Sequence, residues 1–377
     1  MTLRISSSFD GGNIEVEACS SPDDIRLSIR RDNNSEFFQW FYFRLTGAKD
    51  TPCRLTITNA GEAAYVGGWP GYRACASYDR ESWFRVDTAY DGANLVITLT
   101  PARESVYLAY FAPYSMERHA DLIAKSTASP LCTGHVLGST LDGQDLDMLE
   151  IGHGAEGRRK CWFIARQHPG ETMAEWWMEG FLDRLLDPAD PLARSLLEKA
   201  QFYVVPNMNP DGSRRGHLRT NAAGANLNRE WHTPSMENSP EVAMVRKYMR
   251  QTGVDFHLDV HGDEELPYNY IIGFEGIPSV TERQLDLLRR FTDGLARLNP
   301  DFQTEHGYPV AAPGSSDFRK CTDWVAENFG CLAMTLEMPF KDNADAPDPE
   351  FGWSPARCKH LGRGCLDALA LVVDELR

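Results

Sequence analysis

The rhythm of apolar and polar positions changes near residue 115. Before it, short apolar segments at 37–45, 54–58, 83–88, 95–100 and 105–111 are rich in β-branched and aromatic residues. Gly11-Gly12, Gly67-Gly68 and Asp91-Gly92 punctuate them as turns. Strands this short, at this spacing, predict a small antiparallel β-sandwich over residues 1–115. A helical pattern over 115–126 opens a different region, assigned to residues 116–377.

From residue 131 onward, strand and helix patterns alternate. Strands are expected at 160–165, 201–206, 255–260, 269–274 and 330–338, and helices at 171–186, 240–250, 281–298 and 355–376. In the helix over 171–186, Ala174, Trp177, Phe181 and Leu185 recur every three or four residues and paint one buried face. The alternation predicts an α/β region, a mixed central sheet flanked by helices. Ligands of such sheets bind just beyond the carboxyl ends of the strands.

Composition narrows the classes. A chain of 377 residues with 42% hydrophobic and 24% charged positions is globular and long enough to bury its core. Its formal charge of −16, with no basic run to offset it, argues against nucleic acid and anionic membrane as partners. The nine cysteines are scattered and form no CxxC pair, which argues against a disulfide framework and a thiolate metal site. No stretch approaches the roughly 20 apolar residues of a membrane span, and the start lacks the apolar core of a secretory signal. The expected compartment is the cytoplasm.

The chemistry gathers at predicted strand ends. In ARQHPGE, His168 and Glu171 share the turn that joins a strand to a helix. In FHLDVHGDE, His261 ends a second buried strand, with Asp259 two residues earlier on the same side. Two histidines and one carboxylate form the open, catalytic type of zinc site, which supplies an activated water and polarises a carbonyl. Glu337, in TLEMP at the end of a late apolar strand, is the candidate general base. Each residue alone has an ordinary structural explanation. Their shared location at strand ends argues for a site.

On these residues the sequence resembles the M14 zinc carboxypeptidases, and within them the cytosolic carboxypeptidase branch. ARQHPGET, PNMNPDG at 206–212, GANLNREW at 224–231, DVHGD and TLE follow the order of the family's motifs. QWFYFRL at 39–45 and YLAYFAPYS at 107–115 resemble the branch's extra β-domain. The resemblance implies one zinc ion held by His168, Glu171 and His261. It also implies that Glu337 activates the water and passes its proton to the leaving amine. Arg219, in HLRTN, would help polarise the scissile carbonyl, and Asn228 with Arg229 would grip the terminal carboxylate of a peptide or protein tail.

Two departures stand out. Asn226 occupies the place of the family's usual acidic residue, which orients the first ligand histidine; the amide can still accept the imidazole N–H. Counted back from Glu337 without gaps, the family's mobile tyrosine falls on Ser315 and the pocket-base residue on Thr322; Tyr308 fills the tyrosine's place only if the loop is realigned, so no residue is assigned to it. Eukaryotic relatives of the branch trim acidic residues. Arg319 or Lys320 would supply a positive pocket floor for them; alternatively both are solvated loop charges. The competing readings are an amidohydrolase of small N-acyl amino acids on the same fold, and a non-catalytic peptide-binding scaffold.

Overall fold

The computed structural model describes residues 2–152, 154 and 157–376. Its N-terminal domain contains two five-stranded sheets. The first orders Arg4–Ser6, Tyr42–Thr46, Ser105–Ala109, Cys75–Ser77 and Phe84–Arg85, antiparallel throughout. The second orders Glu15–Ser21, Asp24–Ser28, Cys53–Ile57, Leu95–Leu99 and Asp87–Tyr90, with one parallel pair, Asp24–Ser28 beside Cys53–Ile57. Alternate residues such as Ile25, Leu27, Leu55, Ile57, Leu95 and Ile97 are buried, the period-two pattern of a strand with one face in the core.

Two expected strands change here. The segment 83–88 divides into Phe84–Arg85 in one sheet and Asp87–Tyr90 in the other, so the chain changes sheets at Val86. The segment 37–45 is a strand only over Tyr42–Thr46. Upstream of it, Gln39 docks its side-chain amide on Tyr65, accepting from the Tyr65 N–H at 2.8 Å and donating to the Tyr65 carbonyl at 3.0 Å. That segment holds a loop in place instead of extending the ladder.

The C-terminal part is a seven-stranded mixed sheet flanked by helices. Its order is Cys132–Ser139, Asp145–Ile151, Ala200–Val205, Arg159–Ala165, Phe256–Asp263, Leu332–Pro339 and Tyr270–Ile272. The four strands from Ala200–Val205 to Leu332–Pro339 run parallel and are nearly all buried, which explains their continuous apolar runs. The helix Met173–Leu185 buries residues around most of its circumference, not the single face its periodicity suggests. The cause is a close crossing with helix Pro355–Ala370: a Cβ on Gly180 would stand 2.2 Å from the Lys359 carbonyl oxygen, and one on Gly362 2.3 Å from that of Trp177. Helix Glu282–Leu298 starts where the sequence places it, on a Thr281/Gln284 capping box. Among the described residues, no helix is long and apolar enough to cross a membrane.

Register delivers the site. In the parallel pair Phe256–Asp263 and Leu332–Pro339, His261 is the direct partner of Glu337. Strand Arg159–Ala165 lies on the other side of Phe256–Asp263 and releases its chain at Ala165, three residues before His168. Three carboxyl ends therefore converge at one edge of the sheet.

Candidate active site

The turn after Arg159–Ala165 is held from behind. Arg166 adopts φ 55°, a left-handed conformation uncommon for a side chain of its size. Its buried guanidinium donates to the Pro169 carbonyl at 2.7 and 3.2 Å, to the Tyr114 carbonyl at 3.0 Å and to the Glu175 carboxylate at 2.6 Å. The turn is thereby closed over its own cation, and His168 and Glu171 project together.

His168, Glu171 and His261 meet with ligand atoms within 4.8 Å of one another, all three side chains buried. Glu171 reaches His168 Nδ1 at 2.7 Å through one oxygen and His261 Nδ1 at 2.8 Å through the other. The two Nδ1 atoms are 3.2 Å apart. The far nitrogens are anchored: His168 Nε2 faces Asn226 Oδ1 at 3.0 Å, and His261 Nε2 faces Asp259 Oδ2 at 2.9 Å. Asp259 is itself held by Gln167 Nε2 at 2.6 Å, and Gln167 by Trp231 Nε1 at 2.8 Å. A proton on each anchored Nε2 leaves the Nδ1 lone pairs aimed at a shared gap beside a carboxylate. Two nitrogens and one oxygen so placed fit a divalent cation with one open coordination position.

Electrostatics hold His168 and Glu171 in the forms that bind a cation, whereas His261 gives up its Nδ1 proton to do so. Burial, reinforced by nearby Arg219, pushes His168 down to about 4, so it is neutral over the physiological range. Burial opposes charge on His261, but Asp259 and Glu171 outweigh it and hold that imidazole high. Burial would raise Glu171, yet the two imidazoles win and hold it well below the usual carboxylate range. Glu337 is pushed well above its ordinary value, first by burial and then by the carboxylates of Glu171, Asp263 and Glu264, against the pull of His261. Its Oε2 is buried, without a hydrogen-bond partner among the described residues. A cation in the gap would lower it toward the ionised, proton-accepting form.

His168, Glu171 and Glu337 line a cleft of about 540 Å³ that also contains Arg219, Asn228, Arg229, Lys320 and Thr322. Asn228 is pinned through its oxygen, which accepts from the Cys321 N–H at 2.8 Å, so its remaining polar end is a donor. Arg229 donates to the Asn228 carbonyl at 2.6 Å, and burial with Arg219 nearby lowers its pKa, the mark of a guanidinium short of anions. Thr322 pairs its hydroxyl with that of Thr335 at 2.7 Å. Lys320 and Arg319 are both exposed, but Lys320 lines the cleft, whereas Arg319 grips Asp317 at 2.8 and 2.9 Å and does not line it. Ser315 is an exposed loop residue. Tyr308 lines the cleft and donates its hydroxyl to Asp263.

Arg219 is placed by residues that sequence reasoning missed. Asp32 of the N-terminal domain accepts three successive backbone N–H groups, Leu218 at 2.7, Arg219 at 2.8 and Thr220 at 2.9 Å, fixing that turn. Phe37 and Tyr65 flank the guanidinium, their ring centres 5.5 and 5.3 Å from it. Its Nε is buried without a hydrogen-bond partner. Only tertiary packing joins residues 32, 37 and 65 to 219. The one signal in the sequence was the apolar stretch around 37–41, which the strand pattern absorbed.

Comparison with known proteins follows the same division of the chain. Residues 5–111 match the family model described as the cytosolic carboxypeptidase N-terminal domain, and residues 118–356 match that of zinc carboxypeptidase. An uncharacterized protein of Zymomonas mobilis is 54% identical over 376 residues, covering 100% of this chain and 98% of that protein. A metallo-carboxypeptidase from Pseudomonas aeruginosa, solved in complex with (2-guanidinoethylmercapto)succinic acid, is 48% identical with a TM-score of 0.97, covering 99% of this chain and 100% of that one. Cytosolic carboxypeptidase 3 of Mus musculus is 27% identical over 324 residues, 77% of this chain; the chain spans only 32% of the length of that relative.

Proposed function

This chain belongs to the zinc carboxypeptidase family, and from that premise we propose that it removes the C-terminal residue of peptides or protein tails, with His168, Glu171 and His261 holding one zinc ion. The observation that carries the reading is the meeting of those three side chains with Glu337, register partner of His261, in a cleft that also holds Arg229. When bound, zinc contributes Lewis acidity and an activated water near neutral pH. The chain's own residues do the rest.

Arg229, with the amide end of Asn228, receives the terminal carboxylate; a guanidinium can do so through two parallel hydrogen bonds. Arg219, resting against the stacked Phe37 and Tyr65 rings, faces the scissile carbonyl oxygen and stabilises negative charge growing there. Glu337 takes a proton from the attacking water as the C–O bond forms. It then delivers that proton to the amide nitrogen as the C–N bond breaks, releasing the last amino acid with a free amine. Asp259 and Asn226 hold the two imidazoles in orientation. The N-terminal β-domain over 1–115 packs against the catalytic domain over 116–377 and shapes access to the cleft.

Lys320 and Thr322 support a finer reading, in which the pocket for the departing side chain accepts glutamate or aspartate. Arg319 is not needed for it. Lys320→Ala should then reduce the preference for acidic over apolar last residues about tenfold, roughly the worth of one partly desolvated charge pair; an unchanged preference removes Lys320 from the pocket. The ligand of the Pseudomonas relative has both a succinate and a guanidinium, so the panel should include a basic last residue.

Free-acid and C-terminally amidated forms of the same peptides test the main reading. Release from the free acid, and at least a hundredfold less from the amide, is expected, since amidation removes the anion that Arg229 binds. Equal release from both would contradict an exopeptidase. Asn226→Asp should leave zinc affinity equal or raise it up to about tenfold, because a carboxylate makes the His168 imidazole a better donor. A clear loss of affinity on metal titration would count against Asn226 orienting His168.

A further inference from the structure

The cleft is bipolar. Arg229 feels the charges of Arg219, Asp317 and Arg319, while the charges acting on Glu264 are Glu171, Arg219 and Asp263. Arg219 is their common neighbour, between a cationic end and an acidic one. The acidic end is built where strand Phe256–Asp263 runs on past His261 and meets the N-terminal domain. A Cβ on Gly68 would stand 2.9 Å from the Glu264 carbonyl oxygen, and one on Gly67 2.6 Å from the Glu265 carboxylate.

Glu264 and Asp263 differ in how their carboxylates are satisfied. Asp263 accepts from Glu265 N–H at 2.7 Å, Leu266 N–H at 2.6 Å, the Tyr270 hydroxyl at 2.8 Å and the Tyr308 hydroxyl. Glu264 lines the cleft and is only 6% exposed; its carboxyl accepts from its own backbone N–H, and among the described residues no other residue hydrogen-bonds or ion-pairs with it. A buried carboxylate without a partner is costly unless something else supplies the partner. Burial, then Glu171 and Asp263, push its carboxyl well up. A cation placed against it would reverse that shift and draw the carboxyl back to the ionised form.

Distance says which part of a substrate arrives there. Extended chain advances roughly 3.3 Å per residue, so Glu264 lies roughly 10 Å of backbone beyond His261. Arg229 and Glu264 line the same cleft, so a peptide held by its terminal carboxylate at Arg229, with its scissile bond at the metal centre, has its earlier residues to lay along the remaining wall, which includes Glu264. We propose that Glu264 is a specificity residue that receives a cationic nitrogen one or two positions upstream of the scissile bond. The proposal rests on the carboxypeptidase reading. It directs the enzyme to peptides with lysine or arginine before the last residue, or to short peptides whose free α-amine reaches the same point. Long polyglutamate tails are disfavoured, because their upstream carboxylates would face Glu264.

The test uses the zinc-loaded full chain and N-acetylated peptides that share one last residue and carry lysine, glutamine or glutamate at each of the two preceding positions. A second arm compares dipeptides with free and acetylated amines. Wild type should favour lysine over glutamate in kcat/KM by at least tenfold at one of those positions, or the free amine over the acetylated one by a similar factor. Glu264→Gln should cut whichever ratio is observed at least fivefold, with zinc content and the last-residue preference retained. A wild-type preference for glutamate, a ratio near one in both arms, or a ratio untouched by Glu264→Gln would each overturn the proposal. No release from any peptide would instead bring down the carboxypeptidase reading beneath it.

Discussion

Replacing Glu337 with glutamine should lower peptide release on the order of 10³-fold while bound zinc stays at wild-type stoichiometry. Glutamine keeps the shape and hydrogen-bonding capacity of the side chain but cannot take a proton. Glu337 touches no ligand atom through a described hydrogen bond, and its Oε2 is buried without a partner. Two neighbouring carboxylates are already committed: Glu171 is engaged by both imidazoles, and Asp263 is filled by two N–H groups and two hydroxyls. The loss should fall on kcat, with KM within a fewfold, because peptide binding rests on Arg229 and Asn228. Steady-state kinetics alongside zinc quantification checks both parts. Retained turnover would take the base role from Glu337.

His261→Ala should remove the metal itself. A structural zinc site is worth roughly 10 kcal/mol or more, so losing one of three protein ligands costs about 3 kcal/mol, or about 10²–10³-fold in affinity. The substitution also leaves Asp259 facing a cavity, its carboxylate then held by Gln167 alone. Zinc below a tenth of stoichiometry after dialysis, and no release of amino acids, are the expected results. The fold should survive, since His261 stands near the carboxyl end of a strand whose preceding residues are buried in the parallel core. Circular dichroism and thermal unfolding of the purified variant would establish that separately. Wild-type zinc content in His261→Ala would exclude this residue as a ligand.

Much of this centre was legible because its residues stand at the ends of apolar runs. A continuous hydrophobic segment such as 332–336 marks a buried parallel strand, and a charge directly after it must lie at the sheet's carboxyl edge. That argument located Glu337 and His261, and the register placed them side by side. The HPGE turn located His168 and Glu171. The strands Cys132–Ser139 and Asp145–Ile151 were not identified, because one is largely exposed and the other alternates acidic with apolar positions.

Other features depend on contacts that no local pattern encodes. Asp32, Phe37 and Tyr65 reach Arg219 from more than 150 residues away. Arg319 and Lys320 are adjacent and chemically alike, yet Asp317 captures one and the cleft receives the other. Glu264 reads in the sequence as one acid in an acidic run. Asp263 beside it is buried too, and only the four hydrogen bonds that fill Asp263 tell the two apart.

The most direct test of the central claim is the release of C-terminal amino acids from a mixed peptide library, with zinc measured in the same protein sample. Wild type, wild type with chelator, and Glu337→Gln would be compared. Near one zinc per chain, with release by untreated wild type alone, is the predicted result. Stoichiometric zinc without release from any peptide would contradict it and favour small N-acyl amino acids or a binding role. Absence of zinc from a sample supplied with the metal would contradict the metal centre itself.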